Sequence, residues 1–141
     1  MDLEMLFGAT NSLALIAWIA LIVAPYHKTV RISVFGGVVV FLGLCYSVLL
    51  FNTLDAEMVS DMSTLSGLTG LFASEKAVLL GWIHYLSFDL VAGLYITKNA
   101  KENQLNKRLL LPFLIGTFMA GPFGFTAYIA YRSLVRKHYQ F

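Results

Sequence analysis

Hydrophobic positions along this chain gather into four stretches, about 3–24, 32–51, 75–97 and 109–131, separated by polar runs. Each approaches the roughly 20 residues that a helix needs to cross the hydrocarbon layer of a bilayer. Lipid offers backbone amides no water to bond, so a helix, which satisfies its own amides, is the form such stretches take. The pattern predicts an all-α polytopic membrane protein: a bundle of four transmembrane helices, with residues 1–141 as a single membrane domain.

Breakers and small residues mark the ends and contacts of these helices. Pro25 stops the first stretch, because its missing amide donor cannot continue a helix. Gly36, Gly37 and Gly43 in the second let neighbouring helices approach closely, and packing of this kind drives association in lipid. Ser74 suits an N-cap and Glu75 a first turn, where negative charge meets the positive end of the helix dipole. Pro112 is tolerated at the start of the fourth stretch, whereas Gly121-Pro122-Phe123-Gly124 in its middle predicts a kink. Gly116, Ala120 and Gly124 recur every four residues. That small-residue face would serve a homo-oligomer as readily as an internal contact.

The run from Asn52 to Ala73 differs in kind, with Asp55, Glu57 and Asp61 among Ser, Thr and Gly. Met58, Met62, Leu65 and Phe72 nevertheless keep helical spacing, so an interfacial segment is expected between the second and third helices. A plain interfacial loop and a lid over a lateral entrance are its two readings.

The third stretch carries the chemistry. His84 and Asp89 lie near its middle, where ionisable groups are expensive and need a structural or functional reason. At 100° per residue they are roughly 140° apart around the helix and roughly 7.5 Å apart along it. Asp89 lines up with Trp82, Tyr85 and Gly93, and His84 with Ser87 and Phe88. One site can use both only if it wraps around this helix or a neighbour completes it. The plain alternative is that each bonds a polar group on another helix. Trp82 and Tyr85 are candidates for stacking on a substrate or for packing, Asn11 for lining a ligand cavity or for interhelical hydrogen bonding, and Ser87 for contacting a substrate. Glu75 is a candidate third acid or a helix-end charge.

Composition and charge narrow the class. The chain is 58% hydrophobic and 13% charged, where a soluble domain carries about 25% charged residues. A net charge of +2, with the bases close to helix ends, gives no footing for nucleic acid. Cys45 is the lone cysteine, so no intrachain disulfide forms. The start, Met-Asp-Leu-Glu, is acidic where a cleaved signal would be basic, so the first stretch is expected to be retained. Without a Ser- and Arg-rich leader, a prokaryotic plasma or inner membrane is the expected setting. Lys28, Arg31, Lys98, Lys101, Lys107 and Arg108 fill the first and third connections while the second is acidic, which predicts both termini on the non-cytoplasmic side. The basic tail of Arg132, Arg136, Lys137 and His138 pulls the other way.

Absences narrow the reaction. Three histidines, with one in a span, cannot build the His-rich di-iron site of a membrane hydroxylase or supply two axial haem ligands. The chain holds no HExxH, CxxC, phosphate cradle or nucleophile elbow. No cofactor or metal is therefore expected, unless one is borrowed from a partner. Transport is disfavoured, because only one span carries buried ionisable groups.

Trp82-Ile83-His84-Tyr85-Leu86 followed by Asp89-Leu90, and preceded by Phe72-Ala73-Ser74-Glu75, resembles the signature of a small membrane family. This family is the abscisic acid-deficient four-like proteins, whose plant members act in converting violaxanthin to neoxanthin. Ala24-Pro25 and the Gly121–Gly124 element also fit its pattern, and the resemblance covers nearly the whole chain. It implies a carotenoid or related isoprenoid ligand and a cofactor-free isomerisation, in which an epoxide opens and the polyene loses a proton. Under that resemblance Asp89 would be the general acid and His84 the base, or the reverse, with Glu75 as a further candidate. The rival expectation is a non-catalytic pigment-binding or assembly subunit of a membrane complex.

Overall fold

The structure is a computed structural model that describes residues 2–54 and 56–136. Asp55 of the acidic connection and Lys137 and His138 of the basic tail lie outside these, as do the side chains of Glu57 and Arg136.

Helix α1 spans Leu3–Val23, with the Asp2 carboxylate accepting the Glu4 amide at 3.0 Å as its cap. Helix α2 runs Lys28–Phe51, so the predicted basic turn is its first helical turn; a π-helical segment, Val34–Val39, surrounds the Gly36-Gly37 pair. Two short helices, α3 (Ala56–Asp61) and α4 (Leu65–Leu71), occupy the acidic connection. Helix α5 covers Glu75–Glu102, one turn beyond the predicted end. It stops in a hydrogen-bonded turn, with the Leu105 amide donating to the Ala100 carbonyl at 2.9 Å and Gln104 at φ 53°. A 3₁₀ turn, Lys107–Leu110, leads into α6 (Leu111–Met119), and α7 is Gly121–Arg136.

Helix α5 is the centre of the molecule. Half of its apolar window is buried in protein, against 28% for α1 and 17% for α2. Helix α1 runs alongside it in the same direction: Asn11 meets Trp82, the Trp18 ring fills the space that Gly93 leaves open, and Tyr26 reaches Leu105. The Tyr26 hydroxyl donates to the Leu105 carbonyl at 2.6 Å, and Lys101 Nζ donates to the Tyr26 carbonyl at 3.2 Å, which ties the two ends together. Burial, with Tyr131 nearby, pushes the Tyr26 hydroxyl up from its ordinary range, so it remains a donor. Helix α2 runs the opposite way, with Tyr46 against His84 at one end and Lys28 facing Lys98 at the other.

The three helices α1, α2 and α5 are long and apolar enough to cross a membrane. Their outer faces expose Ile16, Ile19, Val23, Phe41, Leu44, Val48 and Phe51. A continuous apolar surface of that kind suits hydrocarbon rather than water.

The fourth stretch departs from expectation. It is a hairpin, where a single kinked helix was predicted. Gly121 lies against Asp89, Tyr128 donates to Asn99, and Arg132 reaches Asn99 and Tyr95. Ten residues of α5 separate Asp89 from Asn99, about 15 Å of helix, so α7 runs beside α5 in the same direction. Helix α6 runs against it, with Phe113 5.9 Å from the Tyr128 ring and 5.1 Å from that of Tyr131. The break is at Ala120, at φ −152° and ψ 69°, after which Pro122 starts a new helix rather than bending an old one. A side chain at Gly124 would overlap the Gly116–Thr117 backbone. Gly116 and Gly124 of the small-residue face therefore meet each other inside the hairpin, while Ala120 is exposed at its turn.

Leu3, beside Leu79, and Arg132, beside Asn99, lie towards opposite ends of α5.

Candidate functional site

The predicted stripe of Trp82, Tyr85 and Asp89 forms one face of α5, between α1 and the tip of the hairpin. Trp82 Nε1 donates to Asn11 Oδ1 at 2.8 Å, and the Trp82 and Tyr85 rings lie 5.5 Å apart. The Tyr85 hydroxyl interacts with the Asp89 carboxyl one turn further on. Asn11, Trp82, Tyr85 and Asp89 thus lie along one side of α5, joined by the Trp82–Asn11 hydrogen bond and the contact of the Trp82 and Tyr85 rings.

Asp89 is the buried end of this row. The residue is 8% exposed, and its Oδ2 is buried without a hydrogen-bond partner among the described residues. A Cβ placed on Gly121 would land on Oδ1, so any larger residue there forces the Asp89 side chain to turn away. The carboxyl consequently faces the start of α7, the positive end of that helix. Two features follow for its chemistry. It is shielded from water, and one oxygen is uncommitted. Such a group can hold a hairpin in place, and it can exchange a proton with a ligand.

His84 lies on another side of α5. Its ring stacks on Phe88 at 4.7 Å and meets Tyr46 at 5.6 Å. The His84 side chain is exposed, and beside it the α3–α4 segment borders an open pocket of about 130 Å³ that Met58, Met62 and Phe72 help to line. Of the predicted interfacial stripe, Met58 is buried and Leu65 is 83% exposed, because the turn between α3 and α4 divides the segment. His84 sits with Phe88 and Tyr46 and Asp89 with Gly121, which agrees with their angular separation.

The remaining candidates are placed plainly. Ser87 is buried and donates to the Ile83 carbonyl of its own helix at 2.8 Å, so its hydroxyl is committed there. Glu75 is exposed at the acidic end, beside Glu4 and Phe7 in an open groove of about 260 Å³. The Ser74 side chain makes no capping bond, although it stands at the predicted position. Among the described residues, no group of three His, Cys, Asp or Glu is arranged to hold a metal.

One cluster was not foreseen. Asn99 Oδ1 accepts from the Tyr128 hydroxyl at 2.7 Å and from Arg132 Nη1 at 3.3 Å, and Arg132 is 4% exposed. The Tyr95 hydroxyl lies 3.4 Å from the same Nη1. Tyr95 with Asn99, and Tyr128 with Arg132, are polar pairs four residues apart on their helices, a spacing that sets each pair on one face. That matched spacing was the available signal.

A family model described as ABA DEFICIENT 4-like matches residues 5–128. The chain is 23% identical over 142 aligned residues to the protein ABA DEFICIENT 4, chloroplastic, of Arabidopsis thaliana, covering 95% of this chain and 63% of that relative. It thus spans less than two thirds of the relative's length. No solved structure matches. The match takes in α1 to α5 and the hairpin tip, Asp89 and Gly121 included, and the chain belongs to the ABA DEFICIENT 4-like family.

Proposed function

We propose that this protein is a multi-pass membrane protein that isomerises an epoxy-carotenoid or related isoprenoid, with the Asp89 carboxyl as the proton-transferring group. The buried Asp89, with one oxygen unpartnered, is the observation that carries this reading. Family membership supports the ligand class. In the reaction a proton passes to the epoxide oxygen as its C–O bond breaks. The C–H bond on the adjacent polyene carbon gives its electron pair to the new C=C bond, and that proton leaves to a carboxylate oxygen. Composition is unchanged and nothing is oxidised, so the step balances without a redox partner. A carboxyl can serve both transfers through its two oxygens, with the Tyr85 hydroxyl beside it. His84, outside this path, contributes only if the ligand wraps around α5.

In the membrane, we read α1, α2 and α5 as spans and α6–α7 as a re-entrant hairpin. Lys28, Arg31, Lys98, Lys101, Lys107 and Arg108 then share one end of the bundle with Arg132, and the positive-inside tendency makes that end cytoplasmic.

The test is a cofactor-free assay of membranes containing the protein, fed an epoxy-carotenoid and followed by chromatography. Formation of an isomer that Asp89→Asn abolishes supports the reading. No product from correctly folded protein overturns it. The separation of His84 from Asp89 favours a second reading, a non-catalytic pigment-binding subunit, which predicts a carotenoid that co-purifies unchanged.

A further inference from the structure

The largest cavity described is unrelated to Asp89. It is a groove of about 570 Å³ between the first half of α2 and the last turns of α5. Its mouth carries Lys28 and Arg31 from one wall and Lys98 from the other. Behind them the lining turns apolar, with Phe35, Val91 and Leu94. Gly36, within the π-helical segment, contributes no side chain, and nothing lies within 4 Å of where its Cβ would be.

The charge at this mouth is poorly compensated. Lys28 is the first residue of α2, where the helix dipole is already positive, and the first turn holds no acid. The preceding His27 makes no side-chain cap to the free amides. Arg31 donates to the Pro25 carbonyl at 3.3 Å, a neutral partner. Lys98 meets Glu102 at 4.0 Å with both side chains well exposed, a contact of little strength. Cations over an apolar groove match an anion that carries a hydrocarbon chain. Basic pockets between helices at the cytoplasmic side of a membrane recognise anionic headgroups in this way.

We propose that this groove binds one anionic phospholipid, with its phosphate among Lys28, Arg31 and Lys98 and an acyl chain along Phe35 and Val91. The site stands apart from the isomerase reading and survives its failure.

The test equilibrates the purified full chain in detergent with equimolar phosphatidylglycerol and phosphatidylcholine of identical chains, and reads bound lipid by native mass spectrometry. Preferential retention of one phosphatidylglycerol is expected. Each cation exchanged for Gln, singly at Lys98 and then together with K28Q and R31Q, should reduce that preference by about fivefold. Gly36→Phe, which the open space tolerates, should lower retention of both lipids. Helical circular dichroism and elution volume confirm that each variant is folded. Equal retention of the two lipids overturns the proposal. An unchanged preference in the triple variant does the same, as does unchanged binding in Gly36→Phe, which would mean lipid held only around the rim. Displacement by millimolar inorganic phosphate would reduce the groove to a plain anion site and equally overturn it.

Discussion

Tyr128 donates a 2.7 Å hydrogen bond to Oδ1 of Asn99, and that contact sets the direction of the last helix. A kinked single span would carry Tyr128 towards the Ser74 end of α5, away from Asn99. The bonded partner lies at the opposite, basic end. The turn of the chain at Ala120 and the return of α7 beside α5 follow from this one pairing together with Gly121 at Asp89.

Side-specific cysteine labelling checks the reversal. In a Cys45→Ser background, single cysteines at Lys98, Arg136 and Ser63 would be treated with an impermeant maleimide in oriented vesicles. Cysteines at 98 and 136 should react from the same face, and that at 63 from the other. Reaction of 136 together with 63 would show a fourth complete span.

The glycines give a graded series in stability. At Gly124 a methyl group would strike the backbone of Gly116 and Thr117, which cannot step aside. Gly124→Ala should therefore cost about 3 kcal/mol, at the upper end of what overpacking costs. At Gly121 the obstacle is the Asp89 carboxylate, a side chain with some freedom to turn, so Gly121→Ala should cost about 1 kcal/mol. Adding Asp89→Ala should remove most of that cost, a coupling that a double-mutant cycle measures directly. Gly36→Ala, with open space around it, should be neutral or slightly stabilising. Equal effects at all three sites would contradict the hairpin packing.

Much of this arrangement could be read from the chain. The first helix, expected over 3–24, covers Leu3–Val23, and the sharing of one face by Trp82, Tyr85 and Asp89 followed from 100° per residue. The separation of His84 from Asp89 followed from the same angle. What could not be read was direction. An apolar run interrupted by Gly-Pro has the same hydropathy whether the chain bends or turns back, and the choice lies in tertiary contacts at Asn99 and Asp89. Gly116 and Gly124 had the spacing of a helix-packing face, but nothing local said that they would meet each other. Ser87 shows the same limit: a serine in a helix can bond its own preceding turn, and here its hydroxyl donates to the Ile83 carbonyl.

The polar cluster at the basic end should matter to stability more than any exposed pair. Tyr128→Phe removes one hydrogen bond and should cost about 1 kcal/mol. Asn99→Leu removes the acceptor shared by Tyr128 and Arg132 and leaves both buried donors short of it, so about 3 kcal/mol is expected. Lys98→Ala, which breaks only an exposed 4.0 Å ion pair, should fall within about 0.5 kcal/mol. Unfolding midpoints in detergent order the three, and a Lys98→Ala loss equal to that of Asn99→Leu would contradict the burial argument.

Two substitutions on α5 separate the chemistry from the scaffold. Asp89→Asn keeps shape and hydrogen-bonding capacity at the hairpin tip while removing a transferable carboxyl proton. Loss of isomer formation by about 10²-fold or more, with little change in unfolding midpoint, is the expected result. His84→Ala removes a ring stacked on Phe88, outside the Asp89 path, and should leave turnover within about tenfold while loosening the contact with Tyr46. The same pair of variants discriminates the two roles open to Asp89. If Asp89→Asn lowers stability and turnover in equal proportion, the carboxylate serves the hairpin alone. If His84→Ala abolishes turnover as Asp89→Asn does, the ligand must wrap around α5 and draw on both faces. Chromatographic rates and unfolding midpoints, measured on the same membrane preparations, decide between these outcomes.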